Sequence, residues 1–165
     1  MSGHPVRDEI LALLEPGDRP LWHGGPTFDG VLDGVGAEMA SWQPGAGRHT
    51  IWALSLHMAY WKYAVRRRIM GLPEDGFPRS PDNFPELVHP LTEEDWSRDR
   101  ALCEQENDAL IALVKTLEET RLQEPCPGDY RVADQLFGIA MHDAHHVAQI
   151  LLIKRWWEDL HGIHG

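Results

Sequence analysis

The chain has 165 residues, of which 42 % are hydrophobic and 25 % charged, so we expect one folded domain spanning residues 1–165. It carries 15 Lys and Arg against 26 Asp and Glu, and the resulting net charge of −11 disfavours nucleic acid and anionic membrane surfaces as partners. It shows neither a signal-peptide pattern nor an uninterrupted apolar run near the roughly 20 residues that cross a bilayer, and it has only two cysteines; we therefore expect a cytoplasmic protein.

The N-terminal half of the chain predicts two substantial helices separated by loop. Apolar residues at helical spacing predict a first helix from Arg7 to Glu15. Residues 16–47 are rich in Gly and Pro and predict loop, with at most a short helix from Phe28 to Val35. From about Thr50 to Met70 apolar residues recur every three or four positions, which predicts a long helix that Thr50 caps and Gly71 ends.

The C-terminal half predicts two more helices after a long proline-rich segment. Residues 72–91 contain five prolines, so this segment is either a lid or a strap across the bundle. A third helix is predicted from Thr92 to about Thr120, and it begins on a sequence that resembles a capping box. A fourth is predicted from Val132 to about Leu160. Because strand signals are weak, we predict an all-α four-helix bundle with a long Pro-rich connection between helices 2 and 3.

Three histidines are the candidate metal ligands. His142 and His146 are four residues apart and share one face of the fourth helix, so their rings can converge on one cation. His57 lies on the apolar stripe of the second helix and is expected to face inward as well. Three imidazoles leave coordination positions free, which is typical of a catalytic zinc site. The alternative is that the three rings are buried and satisfied by backbone carbonyls and water.

The residues near the three histidines also have expected positions. His145 is about 100° round the helix and is expected to flank the site, although it remains a substitute ligand. We expect Asp143 to be solvated or to face the helix N-terminus. Glu106 either accepts a hydrogen bond from a ligand imidazole or lies on a rotated helix. Trp52 and Trp61 flank the proposed site, and packing in the core is the expected role of both.

Several motifs together resemble a known family. They are Trp22-His23-Gly24-Gly25-Pro26, the region of Leu32-Asp33-Gly34, His49-Thr50-Ile51-Trp52-Ala53-Leu54 leading to His57-Met58, and His142-Asp143-Ala144-His145-His146-Val147-Ala148-Gln149-Ile150. In this order they resemble the DinB-like (YfiT-like) metal-dependent bundle proteins over about residues 20–155. The resemblance implies that His57, His142 and His146 bind a divalent metal. Two positions depart from the family pattern: His145 stands where Tyr is frequent, and Ala148 where Gly is frequent.

The resemblance also implies a range of functions. A neutral three-histidine site suits Zn²⁺, Ni²⁺ or Fe²⁺, of which we favour Zn²⁺ or Ni²⁺. The leading expectation is a metal-dependent enzyme acting on a small molecule, namely a detoxifying S-transferase that uses a low-molecular-weight thiol. Two alternatives stay open: a metal-assisted hydrolase, and a non-catalytic stress-response or dimeric binding protein. We expect a homodimer, and the sequence identifies no catalytic residue apart from the ligands.

Overall fold

The computed structural model describes residues 5–15, 25–87 and 90–163. In the described part of the chain, seven helices and one two-stranded hairpin follow one another. They are α1 (Pro5–Leu14), α2 (Phe28–Val31), α3 (Ala37–Ser41), α4 (Ile51–Ile69), α5 (Glu93–Thr116), α6 (Glu119–Leu122), β1 (Pro125–Cys126), β2 (Tyr130–Arg131) and α7 (Val132–His161). The motif residues 22–24 lie outside the described residues.

The four longer helices form the bundle, which confirms the predicted all-α class. Helix α4 packs against both α5 and α7, and α1 packs against α5 and α7 at one end. Two apolar clusters fill the interior. One surrounds the N-terminal half of α4 and includes the fully buried Trp52 and Ile150; the other lies around α1 and the start of α7 and includes Ile10 and Leu136. Burial of these apolar side chains is the main stabilising contribution to the bundle.

Local sequence signals account for the helix ends. The Thr50 hydroxyl accepts a hydrogen bond from the Ala53 amide (3.0 Å) at the start of α4. Gly71 takes the left-handed conformation (φ 68°) after its end, as predicted. Thr92 and Asp95 form a reciprocal capping box at the start of α5. These signals act within one helical turn, and so the sequence alone could place them.

Two predicted helices have different boundaries in the structure, and one element was missed. The short helix predicted from Phe28 to Val35 ends at Val31, and α3 follows it as a separate turn of helix. The predicted third helix is divided, since α5 ends at Thr116 and α6 starts at Glu119. A hairpin absent from the prediction joins α6 to α7, with left-handed Gly128 and Asp129 at its turn. Its strands have two residues each, too short to show the alternation by which strands are recognised.

By length and composition alone, α7 would be long enough to cross a membrane, with a mean hydropathy of 1.2 over its most apolar window. This is weak support for a membrane span, because 44 % of that window is buried inside the bundle. The same helix also carries Asp143 and His146, both buried. Packing in the protein core accounts for part of its apolar content.

The proline-rich connection is a strap that lies against α4. Phe77 packs its ring on Tyr60 and Tyr63 of α4, at centroid distances of 5.6 and 5.5 Å. Glu74 makes two hydrogen bonds with Arg68, both 2.8 Å long. Of the two forms that the sequence allowed, the contacts therefore fit a strap tied to the bundle. Val88 and His89 of this segment are outside the described residues.

Candidate metal centre

The bundle brings the three predicted histidines together. His57 reaches across from α4 to His142 and His146 on α7. The Nε2 atoms of His57 and His142 are 3.0 Å apart, and those of His142 and His146 are 3.2 Å apart. All three donor atoms lie within 4.8 Å of one another, with His57 and His146 buried and His142 half-buried. The side chains predicted from sequence spacing thus meet at one point between two helices.

Hydrogen bonds fix which ring nitrogens face that point. His57 Nδ1 lies 2.9 Å from the Asn83 carbonyl oxygen, and His146 Nδ1 lies 2.6 Å from Gln149 Oε1. Both partners are acceptors, so each Nδ1 carries the proton and donates it. In a neutral imidazole the other nitrogen then presents a lone pair. The Nε2 atoms of His57 and His146 are therefore free to bind a cation.

The same count of donors and acceptors shows that hydrogen bonds among the three rings cannot pair all of their nitrogen atoms. His142 Nε2 lies between two lone pairs, and with one proton it can donate to only one of them. Its Nδ1 is buried and has no hydrogen-bond partner among the described residues. A cation bound at Nε2 would not pair that Nδ1; it would relieve the contact between the Nε2 lone pairs. A divalent cation would accept all three Nε2 lone pairs, so these residues fit a metal ion.

Electrostatics keep the three rings neutral. Burial lowers the pKa of His57. Burial, joined by repulsion from the neighbouring His146 and His57, lowers the pKa of His142 to about 3. Burial also lowers the pKa of His146 to about 4. A neutral imidazole is the form that binds a metal, and at neutral pH all three rings are therefore in that form.

The strap completes one side of the centre. The Phe84 ring stacks on His57 at 4.1 Å and on His49 at 4.2 Å, so it is held between the two imidazoles. The Asn83 side chain accepts a hydrogen bond from Trp61 Nε1 (2.8 Å), while its backbone carbonyl holds His57. Trp61 lies beside the site, as predicted. Its ring is edge-on to that of His57, with the ring centroids 6.4 Å apart.

For Asp143 the expectation was wrong, and for Glu106 the alternative of a hydrogen bond from a ligand ring is not what the structure shows. Asp143 is buried, not solvated, and accepts a hydrogen bond from the fully buried Lys62 at 2.7 Å. Glu106 also bonds a cation instead of a ligand ring, because Arg66 donates to it at 2.7 Å. Both pairs join α4 to a neighbouring helix. A buried charge needs a partner, and here the partners come from a helix face that sequence spacing could not orient.

The structure also shows where Trp52, His145 and Gln149 lie relative to the site. Trp52 is fully buried and donates to Asp99 at 2.9 Å, so it is a core residue. His145 is exposed and touches the centre only through the His146 ring, at 4.9 Å. Gln149 was missed as a contributor, although its position one turn after His146 places it on the same helix face and was a usable signal. Nothing local marked Asn83 or Phe84.

The centre lies in a groove between α4 and α7, with a cavity at each side. Leu54 meets Gln149 at one end and Arg68 meets Gln135 at the other, so the two helices run antiparallel. The cavity at the Leu54 end has a volume of about 510 Å³; we call it the Arg48 cavity. The cleft at the other end has about 380 Å³ and is lined by His142 itself; we call it the His142 cleft. Both volumes are in the range of small-molecule sites, about 300–1,000 Å³.

Comparison with known proteins gave one match. The family model of the DinB superfamily matches residues 25–150, which is most of the chain and includes all three histidines. No curated protein and no solved structure matches the chain significantly. The matched segment covers the helical bundle from α2 to α7 and the histidine centre between its helices. The chain therefore belongs to the DinB superfamily.

Proposed function

We propose that the protein is a metal-dependent enzyme that transfers a low-molecular-weight thiol to an electrophile, with Zn²⁺ or Ni²⁺ held by His57, His142 and His146. The observation that carries the proposal is the convergence of three Nε2 atoms on one point from two helices. Three neutral protein ligands leave coordination positions for a reactant. The bound metal would supply Lewis acidity and favour the ionised form of a thiol near neutral pH.

The chain's own residues would hold this centre in place. Asn83 and Gln149 orient two of the rings by accepting their Nδ1 protons. Such outer hydrogen bonds fix ring orientation and make the ligands more basic. Phe84 covers one face of His57, and Trp61 lies between His57 and the His142 cleft. These two aromatic rings pack against His57 and hold its imidazole in place.

A hydrolase is the second candidate, and the carboxylates disfavour it. A hydrolytic reaction needs a general base beside the metal. Asp143 and Glu106, the carboxylates predicted nearest the ligands, are both engaged by cations. A thiol can lose its proton more readily than water, since its ordinary pKa is about 8.5. A thiol transferase therefore depends less on a general base beside the metal than a hydrolase does.

A homodimer is part of the proposal. Leu160 near the end of α7 and Ile163 just beyond that end expose 68 % and 55 % of their surface, and Met141 in the middle of the helix exposes 72 %. Exposed apolar side chains that lie close together, as Leu160 and Ile163 do, are typical of a contact surface. Sedimentation velocity tests this: a dimer that Leu160→Asp converts to monomer supports it, and a monomer at all concentrations contradicts it.

Metal content is the first test of the function. We expect one equivalent of Zn²⁺ or Ni²⁺ in the wild type, and its loss in His57→Ala, His142→Ala and His146→Ala. His145→Ala is the matched control, because that ring is exposed and lies one residue from a ligand. Retention of metal by all three ligand variants would show that the cation is bound elsewhere.

Activity is the second test. The metal-loaded protein is incubated with a panel of low-molecular-weight thiols and a chromogenic aryl halide, and separately with a chromogenic ester without thiol. Thiol-dependent release of halide, lost in His146→Ala and kept in His145→Ala, supports the transferase. Ester turnover without thiol supports the hydrolase. Absence of both with full metal content would favour the binding protein.

A further inference from the structure

The Arg48 cavity combines an arginine that has no acidic partner in the described part of the chain with an apolar wall. It is bounded by the loop before α4, by Leu54, and by the C-terminal half of α7. Leu152 and Trp156 line it and leave 45 % and 46 % of their surface exposed. Exposed tryptophan beside a cavity is costly unless something covers it.

Among the described arginines, Arg48, Arg67 and Arg155 form no ion pair, and of these Arg48 lines the cavity. Most described arginines contact a carboxylate, among them Arg66 with Glu106 and Arg68 with Glu74. Arg48 lines the cavity and forms no ion pair with any residue that the structure describes. In a protein with 26 acidic and 15 basic side chains, a guanidinium without an acidic partner is available for an external anion.

The His142 cleft differs in charge. Arg68 there is neutralised by Glu74, and Asp134 is neutralised by Arg131 at 2.7 Å. Its other lining residues include the apolar Trp61, Val65 and Ile139. The groove is therefore asymmetric, with an unpaired positive charge on one side of the histidine centre and paired charges on the other.

The Arg48 cavity is connected to the metal centre by two lining residues. Gln149 accepts the Nδ1 proton of His146, and His49 stacks on Phe84, which in turn stacks on His57. A molecule in the cavity would contact Gln149, which touches one ligand, and His49, which reaches a second ligand through the Phe84 ring. A reactant bound there lies next to the centre.

We propose that the Arg48 cavity binds a small organic anion with an apolar body, whose charged group meets Arg48 while Trp156 and Leu152 cover the rest. That this anion is one of the two reactants rests on the proposed transferase function; the binding itself does not. The uncharged reactant would then occupy the His142 cleft. The assignment follows from charge complementarity and from the apolar area left exposed.

Calorimetry with two matched probes tests the binding. 2-Naphthoate carries the anion and 2-naphthamide is its neutral counterpart of the same shape. We expect the wild type to bind naphthoate about fivefold more tightly than naphthamide, in the range of an exposed charged hydrogen bond. Arg48→Gln abolishes that difference. Arg155→Gln, an exposed arginine on α7 outside the cavity, leaves it unchanged.

A second pair of variants tests the location. Trp156→Ser weakens both probes, whereas Leu72→Ser, an apolar residue of similar exposure outside the cavity, weakens neither. Equal binding of the two probes by the wild type, or equal effects of Arg48→Gln and Arg155→Gln, would overturn the proposal. Loss of naphthoate binding as protein concentration rises would show that a second copy covers Trp156, which also overturns it.

Failure of the transferase is distinguishable from failure of this site. The titrations need no turnover and are repeated on protein stripped of metal. If naphthoate binding depends on Arg48 but the protein transfers no thiol, the anion site is supported and the transferase function is contradicted. If the protein binds no naphthoate and Arg48→Gln does not affect thiol transfer, the transferase function is supported and the anion site is contradicted.

Discussion

Replacement of Lys62 by methionine tests the ion pair behind the metal centre. Lys62 is fully buried, its Nζ lies 2.7 Å from Asp143 Oδ1, and its charge also sits 3.9 Å from the centre of the Phe28 ring. Methionine fills nearly the same space without charge, so Asp143 remains buried without its cation. We expect Lys62→Met to lower the free energy of unfolding of the metal-free protein by about 3–5 kcal/mol. That is a large part of the about 5–15 kcal/mol that stabilises a typical domain.

The magnitude depends on burial, and the chain offers a control for it. Lys115 and Glu15 form an ion pair of similar length, 2.8 Å, with side chains 51 % and 45 % exposed. Lys115→Met is expected to cost no more than about 1 kcal/mol, because water screens that pair. The double variant Lys62→Met/Asp143→Leu should recover most of the lost stability, since it leaves no charge buried.

Urea denaturation followed by circular dichroism measures these differences. The m-value must stay constant across the variants for the free energies to be compared. The reasoning is refuted if Lys62→Met costs as little as Lys115→Met, or if the double variant loses as much as the sum of its parts. In the first case the pair is solvated in solution; in the second, Asp143 has another partner.

Three further changes have defined outcomes. Gln149→Leu removes the acceptor of the His146 ring, so zinc affinity should fall about 10–100-fold. Competition with a chromophoric chelator measures the affinity, and Gln105→Leu, at an exposed position on α5, should leave it unchanged. Gly138 faces open space in the His142 cleft, so Gly138→Leu should block turnover without lowering zinc content; Gly138→Ala should raise stability by up to about 1 kcal/mol and keep turnover. Thr50→Ala removes the α4 cap and should lower stability in urea by about 1 kcal/mol; a change below the error of the fit would contradict the cap assignment.

Most of the helical fold was predictable because its signals are local. The apolar spacing of α4 and α7, the Thr50 cap and the Gly71 stop each act within about a turn. Their inward faces followed from the same spacing, and this was enough to predict that His57, His142 and His146 face the interior. Errors arose at short elements such as α3 and the hairpin, where two to five residues carry too little pattern.

The partners of the buried charges were not predictable. Asp143 was expected to be solvated or to face the helix N-terminus because, on a helix, its side chain points away from those of its histidine neighbours. Lys62, which pairs with it, lies 81 residues earlier on α4. Which residues of two helices meet depends on the rotation and offset at which they pack, and neither helix encodes that alone. The same holds for Glu106, whose partner Arg66 lies 40 residues earlier, on α4.

The sequence by itself determined four long helices and the facing of three imidazoles, because helix period and capping are properties of consecutive residues. Only the tertiary structure decided what surrounds those imidazoles. The Asn83 carbonyl and the Phe84 ring reach His57 from a strap without regular structure, and the asymmetry of charge between the two cavities depends on which arginines find carboxylates. These contacts join residues far apart in the chain, and they exist only once the helices have packed.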